Sequence, residues 1–411
     1  MKKTLFLLIC FFCLLRLFSA RAEDAVIVQA TDLHHLSPTL VKDEEVFLNG
    51  LSRMDGRVTQ YTAQITAAFV SRMLEMRPDA VILSGDLTFN GAGVSHAELI
   101  AALTPLIDAG IPVLVIPGNH DVGTVAYAIT QNGGEGFRGM TNAEFFEAYR
   151  AFGWDGARSR DAVSFSYMYE ITPTLWALML DVNANGARGT LREETLVWAE
   201  EQLQAAREAG ARVISVTHQN LLPQQSVFES GYEIRNCAEL AALLRGYGVR
   251  LNLSGHLHMQ HAAEEEGITD IAASALSLWP CQYAVIRVTE DAVFYDTEAV
   301  DVAAWARENG ETDEDLLRFD AFALAFFNGN SAAKMAGELE ELDIDAATRA
   351  RMLDFAVNLN RRYYTGTLPE TEDKDALALW EAYLPDSFHT TYMRRLLGEP
   401  TQDMNHFILL P

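Results

Sequence analysis

Basic side chains are scarce in this 411-residue sequence: 31 Lys and Arg face 57 Asp and Glu, a formal net charge of −26. A surface of that sign repels polyanions. It argues against a nucleic-acid polymer or an anionic membrane surface as the main partner, because both are held by Lys and Arg neutralising phosphates. Cysteine is scarcer, with only Cys10, Cys13, Cys237 and Cys281, too few for a disulfide-dense scaffold. One apolar run, Leu5 to Leu15, stands out at the N-terminus and is interrupted by Arg16. It is shorter than the roughly 18 residues of an ordinary membrane span. Internal repeats and low-complexity tracts are absent.

What is present begins with order at that N-terminus. Lys2 and Lys3 precede the apolar run, and Ala20-Arg21-Ala22 precedes the acidic Glu23-Asp24. A basic start, an apolar middle and an A-x-A site form the secretory signal layout. Residues 1–22 are therefore expected to be a signal peptide, which places the protein outside the cytoplasm, secreted or in the cell envelope. An uncleaved anchor is the alternative; stable membrane insertion after cleavage is not expected. Neither Cys10 nor Cys13 has the small preceding residues of a lipoprotein site. Removing residues 1–22 takes away Lys2, Lys3, Arg16 and Arg21 and no acid, leaving 27 basic and 57 acidic side chains, a net of −30. Such a chain would need metal ions to concentrate a phosphate-bearing substrate. Cys237 and Cys281 then remain, as a pair or as two thiols.

Five short apolar runs each end in residues that bind metals. AVIVQA (25–30) leads to Asp32 and His34, spaced to point the same way on an extended segment and clasp one cation. AVIL (80–83) leads through Gly85 to Asp86, whose two oxygens suit a carboxylate shared by two ions. The run ending at Ile116 opens into Gly118-Asn119-His120-Asp121. Asn119 offers an amide oxygen, His120 a proton donor, and Asp121 is expected to accept from the other nitrogen of the His120 ring and fix its tautomer. The run 211–217 ends in His218, and 249–253 opens into Gly255-His256-Leu257-His258. The last two imidazoles bind one metal together or serve two adjacent metals. His261 reads as a surface residue.

Between these runs the pattern is helical over about 61–76, 95–109, 143–151, 191–209 and 236–245, with a polar loop at 37–60 and a glycine-rich flap at 131–139. Residues 163–181 read as a hairpin turning at Pro173. From residue 300 alternation gives way to Ala, Leu and Glu at helical spacing. The expected domains are 23–299 and a smaller, acidic helical domain at 300–411.

The five motifs, in this order over residues 32–258, resemble the calcineurin-like metallophosphoesterase superfamily. The resemblance implies an α/β fold, a four-layer αββα sandwich with a dinuclear metal centre on the strand-end loops. It further implies that Asp32, His34 and His258 hold one ion, that Asn119, His218 and His256 hold the other, and that Asp86 bridges them. The ions would be divalent or trivalent transition metals, Fe, Mn or Zn. The nucleophile would be a metal-bound hydroxide, with His120 and Asp121 as the catalytic pair, acting on a small phosphate-ester substrate. Leu180-Asp181-Val182-Asn183, Gly189-Thr190-Leu191 and Trp198 resemble the bacterial cyclic-nucleotide phosphodiesterase-like group, so diesters are favoured over monoesters. Two positions depart from relatives: Gln219 stands where many carry a second His, and Phe89 stands where purple acid phosphatases place a Tyr ligand. The rival reading is a non-catalytic envelope protein whose metal centre only stabilises a binding module.

Overall fold

The structure is a computed structural model that describes residues 24–52, 54–184, 186, 188–225, 231–367, 373–399 and 403–409. The expected signal peptide at 1–22 lies outside the described residues. Short runs of aliphatic and β-branched residues form the central strands, such as AVIVQA, AVIL and VLV. In chain order the strands are β1 (Ala25–Ala30), β2 (Ala80–Leu83), β3 (Val113–Val115), β4 (Val125–Thr130), β5 (Gly133–Arg138), β6 (Ser159–Arg160), β7 (Tyr167–Thr172), β8 (Leu175–Met179), β9 (Arg212–Val216), β10 (Leu251–Ser254), β11 (His261–Glu265), β12 (Ile268–Ala272), β13 (Gln282–Val288), β14 (Val293–Ala299) and β15 (His406–Leu409). The helices are α1 (Glu44–Leu51), α2 (Thr62–Met76), α3 (Gly93–Asp108), α4 (Asn142–Ala148), α5 (Glu193–Ala209), α6 (Cys237–Gly246), α7 (Val302–Glu308), α8 (Glu314–Leu317), α9 (Phe319–Glu340), α10 (Ala346–Tyr364), α11 (Lys374–Tyr383) and α12 (Phe388–Gly398).

One sheet has the order β15-β14-β13-β1-β2-β3 and the other β11-β12-β10-β9-β8-β7-β6. The two face each other across a shared core and carry helices outside, the four-layer sandwich. Strand β8 shows how the sequence builds it: Ala177 and Met179 face the inter-sheet core, while Trp176 and Leu178 pack outward with Trp198 and Leu203 of α5 and Leu240 of α6. That alternation is the period of two dictated by the pleat. The sheets are also tied by polar groups. Gln29 on β1 donates to Ser254 O on β10 at 3.0 Å, and the Tyr167 hydroxyl donates to Val115 O at 2.9 Å.

Strands β1, β2 and β3 run parallel, as do β8, β9, β10 and β12. Their carboxyl ends therefore share one rim, the place where open α/β sheets collect ligands. The glycine-rich segment expected as a flap is the ordered hairpin β4–β5, and the polar loop contains helix α1. Cys237 and Cys281 are separate free thiols.

The described residues after 300 form helices up to Gly398, but the region does not end so. Strand β15 returns to pair antiparallel with β14 at the sheet edge. Its first helices also share the main core, through Val302, Ala306, Phe319 and Ala323. A separate core forms further along, where Met335, Met352, Tyr363, Trp380 and Met393 surround each other and reach Leu257 and Met259 beside the fifth motif. Spacing announces helices but does not say what their apolar stripes cover.

Candidate metal centre

Each motif begins one to three residues past a strand end, where the chain must turn back on itself. Asp32, His34, Asp86, His256 and His258 all have positive φ, at 52°, 45°, 48°, 65° and 63°. A non-glycine residue there costs about 1–3 kcal/mol and persists only where its surroundings over-determine it. Asp32 and His34 are thus not on an extended segment, as their spacing suggested. They converge because the left-handed turns aim both inward, fixed by Asp32 N donating to Gly85 O and His34 N to Asp86 O, each at 3.0 Å.

Two motif glycines allow the close approach. A Cβ on Gly118 would lie 2.1 Å from Asp86 Oδ1, and one on Gly255 would lie 2.0 Å from Thr31 Oγ1. Neither position admits any other residue without displacing a ligand loop.

The side chains gather into two overlapping groups, one of Asp32, His34, Asp86 and His258, the other of Asp86, His218 and His256. Asp86 belongs to both. In the first, His34 Nε2 lies 3.1 Å from His258 Nε2, and Asp32 Oδ1 lies 3.2 Å from His258 Nε2 and 3.7 Å from His34 Nε2. In the second, His218 Nε2 is 3.3 Å from Asp86 Oδ1 and 3.1 Å from Asn119 Oδ1. Donor atoms bonded at about 2.1 Å to a common ion stand roughly 3–3.5 Å apart, so these spacings fit a metal at each group. Asp32 Oδ1 is buried without a hydrogen-bond partner among the described residues, while Oδ2 accepts from Thr31 Oγ1 and His256 N. One oxygen is held and the other is offered.

Backbone carbonyls select the ring nitrogens. His218 Nδ1 donates to Ser84 O at 2.9 Å, which leaves Nε2 for an ion, and His256 Nε2 donates to Gly231 O at 3.2 Å, which leaves Nδ1. The field favours positive charge at the shared carboxylate. Burial alone would raise Asp32 and Asp86, but His258 and His218 respectively outweigh it and hold both carboxyls below their ordinary range. Burial opposes charge on His218 and His258, yet Asp86 and Asp32 push them up to about 9. His256, by contrast, is lowered to about 4 by burial and then by His218.

His120 is the outward-facing member, with its side chain 39% exposed and Nε2 3.9 Å from Asp86 Oδ2. Its Nδ1 donates to Phe89 O at 2.7 Å. Asp121 therefore does not orient that ring, contrary to the sequence expectation. Its carboxylate accepts from Leu87 N, Thr88 N, Thr88 Oγ1 and Gly118 N. Four donors point inward to Asp121 and none comes from an imidazole, so it fastens the loop of Asp86 to that of Asn119. Burial and then Asp86 push it up to about 6. His261 is buried rather than on the surface, against Gln224 and Glu399 and away from both groups.

Two participants escaped the motif reading. Asp55 Oδ2 accepts from His258 Nδ1 at 2.7 Å, turning His258 Nε2 to the centre, and Arg57 Nε holds the other Asp55 oxygen at 2.8 Å. Asp55-Gly56 reads as a turn, since no apolar strand precedes it. Gln219, the departure from relatives, makes a reciprocal amide pair with Asn183 at 3.0 Å in each direction, and Asn183 also donates to Pro117 O. The pair braces the loop that carries Asn119.

Comparison with known proteins agrees with this geometry. Residues 301–403 match the family described as the C-terminal domain of cyclic nucleotide phosphodiesterase. A cAMP/cGMP dual specificity phosphodiesterase of Mycobacterium tuberculosis is 27% identical over 59% of this chain and 66% of its own length. A probable cyclic nucleotide phosphodiesterase of Psychrobacter arcticus is 26% identical over 59% of this chain and 77% of its own. Among solved structures, a dimetal phosphatase from Danio rerio superposes with a TM-score of 0.50 at 14% identity, covering 67% of this chain and 96% of that one. Residues 25–260, which carry all five motifs, match the calcineurin-like phosphoesterase family, and the chain belongs to it.

Proposed function

We propose that, within this family of metal-dependent phosphoesterases, the chain hydrolyses a small phosphodiester, with a cyclic nucleotide as the favoured substrate. The observation that carries the choice is the helical region at 301–403. It matches a domain named for cyclic nucleotide phosphodiesterases, and its Phe327 is packed against Gly56 in the turn that orients His258. The region that matches that domain thus packs on the turn beside the candidate metal centre.

Asp32, His34, Asp86 and His258 would hold one ion, and Asp86, Asn119, His218 and His256 the other. Fe, Mn or Zn suits this mixture of oxygen and nitrogen donors. Bound there, the ions would supply charge for the phosphoryl oxygens and make water acidic enough to attack. The chain's own part is positioning and proton transfer. With Nδ1–H fixed on Phe89 O, a protonated His120 presents its second proton at Nε2, facing the centre. As the P–O bond to the leaving alkoxide breaks, that proton passes to the departing oxygen. Such help is typically worth about 10²–10⁴-fold.

Export through residues 1–22 completes the proposal. No helix among the described residues is long and apolar enough to cross a membrane. Cell fractionation with N-terminal sequencing tests export, and a mature chain beginning at Glu23 is expected. For the activity, the purified chain reconstituted with each metal is offered a cyclic nucleotide, a bis-aryl phosphate and a mono-aryl phosphate. Preference for the two diesters supports the proposal. Preference for the monoester refutes the diester assignment, and metal binding without turnover of any of the three supports the rival binding module.

A further inference from the structure

Arg57 stands beside the metal centre with only part of its guanidinium committed. Its Nε donates to Asp55, and its side chain is 11% exposed. Nη1 is buried and has no hydrogen-bond partner among the described residues. A buried charged donor left unmade is costly, and such groups are kept where a ligand completes them. Its place is set by its neighbours: the Asp55 carboxylate that Nε holds also accepts from His258 Nδ1, and the guanidinium carbon lies 6.0 Å from the centre of the Phe89 ring, whose residue takes the His120 Nδ1–H on its carbonyl.

The segment is held rigidly on both sides. Arg57 pairs with Leu278 in a short antiparallel bridge, Val58 N donates to Ser277 O at 2.8 Å, and Ser277 Oγ donates to Asp32 O at 2.8 Å. From the helical region, Phe327 closes on Gly56 so tightly that a Cβ there would lie 2.9 Å from Phe327 Cδ2 and 3.2 Å from its Cα. Gly56 also has φ of +101°, which other residues rarely adopt. The backbone that presents Arg57 is thereby fixed beside the centre.

We infer that Arg57 is a substrate-binding residue of this site, its guanidinium taking a non-bridging oxygen of the phosphoester. This rests on the phosphoesterase reading. A guanidinium is the side chain best matched to a phosphate oxygen, being planar, always charged and weakly hydrated. In a chain of net charge −26, a fixed cation at the centre also offsets the repulsion an anionic substrate would meet. The helical region takes part indirectly, by clamping the turn that presents Arg57.

The test uses the full chain reconstituted with metal, with inorganic phosphate as the probe. Phosphate affinity is measured by calorimetry, metal content by elemental analysis, and KM and kcat on the best ester. Arg57→Gln is expected to bind phosphate about 10- to 100-fold more weakly and to raise KM, with unchanged metals per chain. Arg57→Lys should recover part of the loss. Metal loss or a lowered melting temperature with unaltered phosphate affinity in the loaded fraction would assign Arg57 to holding Asp55 alone and overturn the inference. Wild-type chain that binds no phosphate would overturn it also. If the wild type binds phosphate through Arg57 yet hydrolyses no ester, the phosphoesterase reading fails and only the phosphate contact of Arg57 stands.

Discussion

Replacing Asp55 tests whether the turn at 55–57 belongs to the metal centre or merely passes by it. The carboxylate reaches His258 Nδ1 at 2.7 Å, and His258 Nε2 faces Asp32 Oδ1 at 3.2 Å. Removing a carboxylate behind a ligating imidazole typically costs 10–100-fold in metal affinity, about 1.4–2.7 kcal/mol. Asp55→Asn keeps an acceptor for Nδ1–H and drops the charge, so its cost should lie near the tenfold end. Asp55→Ala frees the ring to rotate and should approach a hundredfold. Because His258 belongs with Asp32 and His34, the loss should fall on that ion and spare the one near His218 and His256. Chelator competition with a spectroscopic indicator resolves two dissociation constants and reads both variants. Unchanged affinity in the alanine variant, or equal weakening at both positions, would refute the assignment.

Gly118→Ala should cost about 1–3 kcal/mol by overpacking and lower metal content, because its Cβ would meet Asp86 at 2.1 Å; Gly246→Ala, which meets nothing within 4 Å, is the control and should melt as the wild type does. His120→Asn should reduce kcat by about 10²–10⁴-fold on an alkyl or cyclic ester and by less on an aryl ester, whose leaving group needs no proton; equal losses on both would argue against proton donation. His96, buried between Tyr149 and Asp121 O, is lowered from 6.5 to about 4 by burial. The unfolded chain then binds a proton near pH 6.5 that the folded chain refuses until about pH 4, so stability falls as pH drops through that window, by up to about 3 kcal/mol. His96→Gln should flatten that part of the melting profile.

The clustering of candidate ligands was legible in the sequence because their chemistry is concentrated at strand ends. Apolar runs such as 25–30 and 80–83 locate the strands, and the residues following them carry the ligands, so Asp32, His34, Asp86 and His258 could be named without coordinates. What spacing could not convey was backbone direction. The convergence of Asp32 and His34 depends on left-handed turns and on hydrogen bonds to the segment 85–87, which are long-range contacts. Asp121 was misread for the same reason: adjacency to His120 suggested a shared hydrogen bond, whereas its oxygens are taken by backbone amides 33 and 34 positions away and by that of Gly118, 3 positions away. Asp55 and Arg57 left no periodic signal, since a turn placed by tertiary contacts looks like any other turn. Strand β15 was hidden because its four residues follow a long helical tract.

Asp86 is the residue on which the account turns, since only a carboxylate shared between both groups joins two ions into one centre. Metal content of purified Asp86→Asn, measured by elemental analysis beside the wild type reconstituted in parallel, addresses this most directly. The account predicts loss of occupancy at both positions, from two ions per chain towards none. Retention of one full ion would contradict it and assign Asp86 to a single metal.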